Sequence, residues 1–437
     1  MAFTNICPKE RSQWRIYGIS KLLALGAIIL YVLQGQALNG QKQERVLGCY
    51  FLEGSGSSKL HSALNNVPVQ RLLLDIAQTP RSKEYLESRL RQTKFDIKAL
   101  LDLGLVRRQE DLYIISFLLF SRDEEHRMRE ITESHASMLA NAILNRRAEI
   151  EEVIKGYRLP GVDTGAVLYI ILGCFSLDWD GLALNDEMGH WSRPSLFRRI
   201  FPRTVVYAWY PPELSPKLSR RGFYKGSHST EYDKSILISF GDHELQPRQS
   251  FPDVLNVQDN YPNALKLKLN EIIETKSEKE VGKQVAALMS ALREGEMNTA
   301  ELAKAVGTSI GQTERLAALL VDLLYLNKNE DKYSACIPLL TARDSQVVQR
   351  IRQIGREELE RWLEFGYPQL HKELNELTPF RCGVDQSDLF YNIWHDIFGA
   401  ANRMLVESGL FADPYSRFYG AKGIIPAVFD SSLYKKP

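Results

Sequence analysis

The chain has 437 residues, of which 44% are hydrophobic and 25% are charged, and its formal net charge is +1 at pH 7. This length predicts two or more domains, and the composition is that of a soluble globular protein. The small net charge gives no overall attraction to nucleic acid or to an anionic membrane. The five cysteines include no C-x-x-C pair, so neither a zinc site nor a disulfide framework is expected.

The first 37 residues contain the three parts of a secretory signal peptide. Basic residues within 9–21 precede an apolar run at 22–33, and residues 35–37 (GQA) have the small-x-small pattern of a cleavage site. The run is shorter than the roughly 20 residues that span a membrane. We therefore expect export, cleavage after Ala37, no membrane span in the mature chain, and a linker over residues 38–66. A short anchor and a buried cytoplasmic helix are the alternatives.

Residues 298–333 contain the signals for two helices and a hairpin. Asn298 is expected to cap a helix, with Glu301 completing a capping box. Apolar residues then recur at helical spacing on both sides of a Gly-Thr-Ser turn at 307–309, and a polar turn leads into a strand at Tyr333. This order of helix, turn, helix and hairpin resembles the winged helix-turn-helix superfamily. The resemblance implies a fold and does not specify an activity.

The same pattern occurs a second time, 220 residues earlier. Residues 100–103 (LLDL) align with 320–323 (LVDL), and Tyr113 aligns with Tyr333. Upstream of the third helix the offset is 216, so the four-residue difference falls in the turn before this helix and in the start of the helix. Four residues are about one helical turn, so the apolar face keeps its phase. The sequence therefore predicts a tandem duplication.

The expected fold is mainly α with small β-sheets, built from tandem duplicated winged-helix units that are each followed by a long helix. The first unit covers residues 67–195, and the second unit with its C-terminal helices covers 276–437. Residues 196–275 contain strand-like runs without a clear counterpart, and are expected to form a β-containing insertion in the first unit. We expect the long helices of the two copies to pack together as a pseudo-twofold pair.

Basic side chains around the third helix of the first copy form a candidate nucleic-acid site. In DNA-binding winged helices the third helix enters the major groove and flanking basic residues contact phosphates. We expect Lys94 and Lys98 to lie on this helix. The candidate contacts are Arg89, Arg91, Lys94, Lys98, Arg107 and Arg108 in the first copy, and Gln312 and Arg315 in the second, where nearby glutamates would repel phosphate. The alternative is a solvated face on a structural module.

The expected insertion also supplies a candidate pocket for a small ligand or an anion. Its residues are Arg220, Arg221, Tyr224, Lys225, His228 and His243. A metal held by His228, Asp242 and His243, together with His190, is a weaker hypothesis, because no metal-ligand spacing joins these residues. A structural hairpin is the remaining interpretation. We find no catalytic or cofactor-binding motif, so no cofactor is expected.

Three functions remain open from the sequence. The favoured one is a non-enzymatic, exported binding or assembly protein built on two winged-helix units, whose partner is a protein or a small ligand. The second is a cytoplasmic DNA-binding transcriptional regulator with a ligand-sensing insertion, and DNA is a partner only in that case. The third is a hydrolase or metalloenzyme near His228 and His243, for which neither G-x-S-x-G nor H-E-x-x-H is present. The N-terminal segment separates the first two, since an exported protein has no chromosome to bind.

Overall fold

The structure is a computed structural model that describes residues 46–52, 58–190, 205–212, 224–242, 263–274, 276–384, 386–416 and 423–434. The expected signal peptide at 1–37 lies outside the described residues, as do Arg220, Arg221 and His243 of the expected pocket. The fold is mainly α with several small sheets, which confirms the fold class predicted from the sequence.

The first half of the chain begins with a strand and contains a helix–strand–helix–helix–hairpin segment followed by long helices. Its elements are β1 (Gly48–Leu52), α1 (Ser58–Leu64), α2 (Val67–Gln78), β2 (Arg81–Ser82), α3 (Lys83–Leu90), α4 (Ile97–Asp102), β3 (Val106–Gln109), β4 (Leu112–Ile115), β5 (Leu118–Phe120), α5 (Arg122–Asn145), α6 (Arg147–Ile154), α7 (Thr164–Glu187) and β6 (Val205–Trp209). One sheet has the order β2-β4-β3, and another has the order β1-β6-β5.

The second half of the chain repeats this plan with different element lengths. Its elements are β7 (Gly226–Tyr232), β8 (Ser235–Gly241), α8 (Asn263–Glu274), α9 (Glu278–Ala291), β9 (Met297–Asn298), α10 (Thr299–Val306), α11 (Ile310–Asp322), β10 (Leu326–Asn329), β11 (Lys332–Ala335), β12 (Leu339–Leu340), α12 (Ser345–Asn375), α13 (Thr378–Arg381), α14 (Ser387–Glu407) and β13 (Ile424–Asp430). One sheet has the order β10-β11-β9, and the other has the order β12-β13-β8-β7. We call residues 46–212 the first unit and residues 224–434 the second unit.

The third helix of the helix–strand–helix–helix–hairpin segment differs most between the two units. Helix α4 has 6 residues and α11 has 13, and they end at Asp102 and Asp322, which are 220 apart. The turn before the helix is three residues shorter in the second unit, at 307–309 instead of 91–96. The longer helix and the shorter turn together account for the four-residue change of offset in the sequence.

Side-chain caps explain where these short helices begin. Ser82 accepts a hydrogen bond from the Tyr85 amide at the start of α3, and Asn298 forms a complete capping box with Glu301 at the start of α10. Each cap satisfies an N–H group that has no partner within the helix. Gly307 ends α10 with a left-handed φ of 72°, which glycine adopts without steric cost. The local signals in the sequence therefore determine these boundaries.

The strands of residues 196–275 do not form one insertion in the first unit, but belong to two different sheets. Strand β6 lies between β1 and β5, antiparallel to the first and parallel to the second. Strands β7 and β8 instead join β13 near the end of the chain, and β13 runs parallel to β12. Ala208 of β6 pairs with Leu119, and Val428 of β13 pairs with Leu339, so both pairs are 220 residues apart. The sequence comparison missed this correspondence because long-range strand pairing leaves only a short apolar run as its signal.

The long helices of the two units pack across each other and share one hydrophobic core. Helix α5 of the first unit packs against α14 and α12 of the second, and α7 of the first packs against α12. Trp394 of α14 illustrates the contact between the units, since its Nε1 donates to the Leu177 carbonyl of α7 at 3.0 Å. Its ring also packs against Trp362 of α12, with ring centres 5.2 Å apart. Two smaller clusters are centred on the helix–strand–helix–helix–hairpin segments and include residues of the strands and helices that pack against them. The central core thus requires both units.

Helix α7 is strongly apolar over most of its length. Asp163 caps its first turn, and every residue from Tyr169 to Asp180, where the helix has π-helical hydrogen bonding, is buried. It is long and apolar enough to cross a membrane, but 94% of its apolar window is buried inside the protein. Within the described part of the chain, a membrane span is therefore not supported.

A buried histidine lies between α5 and α12 and makes stability depend on pH. His135 is 0% exposed, its Nε2 lies 3.2 Å from Oε2 of Glu373, and its ring meets Trp362 edge-on. Burial lowers the pKa of His135 from 6.5, and Glu373 opposes this shift only in part. The unfolded chain then binds a proton that the folded chain excludes, so we expect the stability to fall as the pH decreases below about 6.5.

The measurement is urea unfolding of the wild type and of His135→Leu at pH 7.5 and pH 5.5. The loss of unfolding free energy between the two pH values should be smaller in His135→Leu, because the titrating group is gone. His126→Leu is the control, since His126 is exposed beside Glu130 on the same helix. An equal pH dependence in the wild type and His135→Leu would contradict the prediction.

Candidate nucleic-acid and ligand-binding surfaces

The turn before the third helix of the first unit carries part of the candidate nucleic-acid site. Asp96 is the N-cap of α4 and accepts a hydrogen bond from the Ala99 amide at 2.7 Å, so the helix begins only at Ile97. Lys98 lies in its first turn. The expectation that Lys94 lies on the helix is wrong, because Lys94 precedes the Asp96 cap, with its ammonium 5.5 Å from the centre of the Phe95 ring.

Three of the candidate arginines in the first unit are engaged by groups of the protein itself. Arg89 lies 3.0 Å from a carboxylate oxygen of Asp75, and the hydrogen bonds that its guanidinium donates to Tyr85 and Asp75 raise the pKa of Arg89. Arg108 forms an ion pair with Asp111 at 3.1 Å and also donates to the Glu110 carbonyl. Arg107 donates to the main-chain carbonyl of Cys382 in the second unit. Phosphate contacts by these side chains would have to replace existing interactions.

The Arg107 contact also depends on the shape of the second unit. Gly383 has a φ of 79°, and a Cβ built there would collide with the Arg107 guanidinium. A glycine at this position therefore admits the arginine and adopts the backbone conformation that the turn requires. The contact joins the hairpin of the first unit to the turn that follows α13.

The other basic candidates of the first unit face solvent. Arg91, Lys94 and Lys98 are exposed, and none of them forms an ion pair among the residues that the structure describes. Lys98 shares its short helix with Asp102 and follows Asp96. The cationic surface that is available to a phosphate is therefore smaller than the sequence indicated.

The third helix of the second unit presents a mixed surface. Arg315 and Glu314 are neighbours on its exposed side. Gln312 is half-buried, and its main-chain N–H donates to Ser309 Oγ at 3.3 Å. Apolar side chains at both ends of the helix also face solvent, with Ile310 57% exposed and Leu324 38% exposed. A surface with exposed apolar groups beside both positive and negative charges is more typical of a site that binds a protein than of one that binds a polyanion such as DNA.

The described residues of the expected ligand pocket contact different partners. The Tyr224 amide donates to Asp242, whereas Lys225 forms an ion pair with Asp396 of α14. His228 lies on β7 opposite Ser239 of β8. Asp242 and Tyr224 are therefore hydrogen-bonded neighbours, whereas Lys225 pairs with an aspartate of helix α14.

The metal hypothesis gains no support from these positions. The His190 ring stacks on Tyr367, with ring centres 3.5 Å apart. Asp242 instead accepts a hydrogen bond from the Tyr415 hydroxyl. Burial lowers the pKa of His190, and His371 adds to this effect. Among the described residues, no group of three or more His, Cys, Asp or Glu side chains could hold a metal ion.

Sequence reasoning missed the polar groups that are buried between the two units. Asp180 of α7 accepts two hydrogen bonds from Arg352 of α12, at 2.7 and 3.1 Å, and Tyr434 lies over the guanidinium. Arg293 pairs with the buried Asp344 within the second unit and donates to the Arg158 carbonyl of the first unit at 2.9 Å. Carboxylates in an apolar stretch, such as Asp178 and Asp180, were the available signal, because buried charges are normally paired.

A cleft of about 210 Å³ lies where α6 and α7 meet the residues after α14. Its walls include Glu151, Asp163, Leu168, Leu410 and Phe411. Pockets for drug-sized ligands usually have volumes of about 300–1,000 Å³. The cleft is therefore small for an organic substrate.

The chain was compared with known proteins at the level of family, sequence and structure. No family model matches it, and neither the curated proteins nor the solved structures contain a match.

Proposed function

We propose that this chain is a non-enzymatic, exported binding protein built on two winged-helix units, and that it binds a protein partner through the third helix of the second unit. The observation that carries the proposal is the exposed first half of α11, where Ile310 is 57% exposed one helical turn before Glu314 and Arg315. Apolar anchors with a charged surround are typical of protein interfaces.

The order of elements supports the winged-helix assignment. Each unit has a helix, a short strand, two helices and a two-stranded hairpin, and the short strand pairs with the second hairpin strand in both sheets. In DNA-binding proteins with this arrangement the third helix enters the major groove, so this helix is presented on the surface of the unit. The basic, apolar and small-residue order of residues 9–37 supports export.

The alternative is a cytoplasmic DNA-binding regulator, and one observation favours it. Arg91, Lys94 and Lys98 lie on or next to the third helix of the first unit and are exposed. Acidic hairpin tips oppose it, because Glu110 and Asp111 in the first unit and Glu330 and Asp331 in the second would approach the phosphates. We therefore rank DNA binding second.

A gel-shift titration with mixed duplex DNA at low salt, together with N-terminal sequencing of protein from its native host, separates the two proposals. The exported binding protein should begin after Ala37 and should not shift DNA. The regulator should keep Met1 and bind DNA, with an affinity that falls steeply with salt. In that case Lys94→Ala with Lys98→Ala should flatten the salt slope by up to about two units, since each lost phosphate contact contributes about 0.9.

The matched control is Arg315→Ala, which removes one exposed cation from the second unit beside Glu314. We expect little change from it in either case. Micromolar DNA binding that disappears in the double lysine variant would overturn the proposal of a protein partner, and an intact Met1 on cytoplasmic protein would overturn export.

A further inference from the structure

The turn before the third helix is longer in the first unit than in the second, and its conformation is fixed by its own side chains. It covers residues 91–96 (RQTKFD), whereas the second unit has Gly-Thr-Ser at 307–309. The Thr93 hydroxyl accepts a hydrogen bond from the Phe95 amide at 3.1 Å, and Asp96 caps the helix that follows. The turn therefore presents its remaining side chains from an ordered backbone.

Three exposed cations on this turn and on α4 keep their charge. Arg91, Lys94 and Lys98 form no ion pair with any residue that the structure describes, although Asp102 lies one helical turn after Lys98. The Lys94 ammonium lies 5.5 Å from the centre of the Phe95 ring, and this cation–π contact does not cancel its charge. The positive charge at this place is available to a partner.

An exposed leucine lies beside these cations. Leu101 is 38% exposed and follows Lys98 by three positions on α4, so the two side chains are neighbours on one face of the helix. At the positions 220 residues later, the second unit has Ala318 instead of the lysine and the half-buried Val321 instead of the leucine. The two units therefore present different surfaces at corresponding positions.

Helix α4 has few of the features of a helix that reads DNA. Its six residues make it about 9 Å long, and its exposed side chains are Lys98, Leu101 and Asp102. The leucine makes no hydrogen bond to a phosphate, and the aspartate repels it. Glu110 and Asp111 add negative charge at the tip of the hairpin that follows. An extended polyanion would approach these carboxylates, whereas a short protein segment can contact the cations and the leucine without reaching them.

We propose that the first unit binds a second partner, an acidic protein segment that carries leucines, through the surface formed by Arg91, Lys94, Phe95, Lys98 and Leu101. Carboxylates of the segment face the three cations, and its leucines pack on Leu101 and on the half-buried Phe95 ring. Charge complementarity of this kind speeds association and makes binding weaken with salt. Because the surface lies on a different unit from α11, its partner is independent of the one proposed for α11.

Fluorescence anisotropy of the full chain with labelled peptides of equal length tests this surface at low salt. The first peptide combines glutamates with leucines, the second has serine for each leucine, and the third has lysine for each glutamate. The first should bind, the second should bind about 5-fold more weakly, and the third should not bind. Mixed duplex DNA and vesicles of anionic lipid should bind more weakly than the first peptide. No binding of the first peptide, equal binding of the first two, or tighter binding of DNA or vesicles would overturn the proposal.

Variants of both units locate the bound peptide. Lys94→Ala combined with Lys98→Ala should weaken binding of the first peptide about 3–10-fold and reduce its salt dependence. Leu101→Ser should weaken it about 3-fold and leave the salt dependence unchanged. Arg315→Ala and Ile310→Ser are the matched controls, since they remove an exposed cation and an exposed apolar side chain from α11, and neither should affect binding. Unchanged binding in the first-unit variants, or equal weakening by the α11 variants, would overturn the proposal. Tm measured on each variant should stay near that of the wild type, because these side chains are exposed.

Discussion

Replacing Arg146 with Met should reduce the free energy of unfolding by about 3 kcal/mol, because it leaves a buried carboxylate with too few partners. Glu358 on α12 has a side chain that is 0% exposed, and Arg146 at the end of α5 lies 3.0 Å from it. Arg146 also contacts Glu149 and Glu357. Arg361 still pairs with Glu358 in the variant, so we expect the lower end of the range for a broken buried pair. Urea unfolding measures the difference.

Two further variants identify the cause of this loss. Lys155→Met removes an ion pair with Glu152 whose side chains are 70% and 74% exposed, and should leave the free energy of unfolding nearly unchanged, because water screens such a pair. Glu358→Leu combined with Arg146→Met should be more stable than Arg146→Met alone, since no buried charge then remains without its partner. A double variant as unstable as the single one would show that the Arg146 stem, and not its charge, is required.

Trp394→Ala should cost about 3–5 kcal/mol, the usual range for removing a buried aromatic side chain. The Trp394 side chain is 0% exposed, packs against Trp362 and Phe398, and contacts the backbone of Gly181 so closely that a Cβ there would collide with the indole. The loss includes the hydrogen bond to Leu177 and a cavity between α14 and α7. The effect should appear in one cooperative transition, because the two units share this core.

Phe365→Ala is the control for Trp394→Ala. Phe365 lies on α12 and is 67% exposed, so its removal should change the unfolding free energy by less than about 0.5 kcal/mol. Separate unfolding transitions of the two units in Trp394→Ala, with one of them unchanged from the wild type, would contradict the view that the core is shared.

The sequence predicted best those features that depend on neighbouring residues. Capping at Asn298, the polar turn before Tyr333 and the mainly α fold are local consequences of side-chain hydrogen bonds and apolar spacing. The early start expected for the third helix was wrong because Asp96 competes for the same N–H groups and delays the helix to Ile97.

Features that depend on distant residues were not accessible in this way. The pairing of β6 with β5, and of β13 with β12, joins strands about 90 residues apart, and no local pattern specifies it. The engagement of Arg107 by Cys382 likewise requires both units to be in place.

Because α5 packs on α14 and α7 on α12, neither half of the chain can bury its own long helices without the other. Two such halves on separate chains would assemble only above a threshold concentration. If they were identical copies, every substitution would appear in both halves at once. Joined in one polypeptide, they meet at a fixed effective concentration, and each half is free to diverge. The third helices of the two units, with 6 and 13 residues, already differ in length within the one chain.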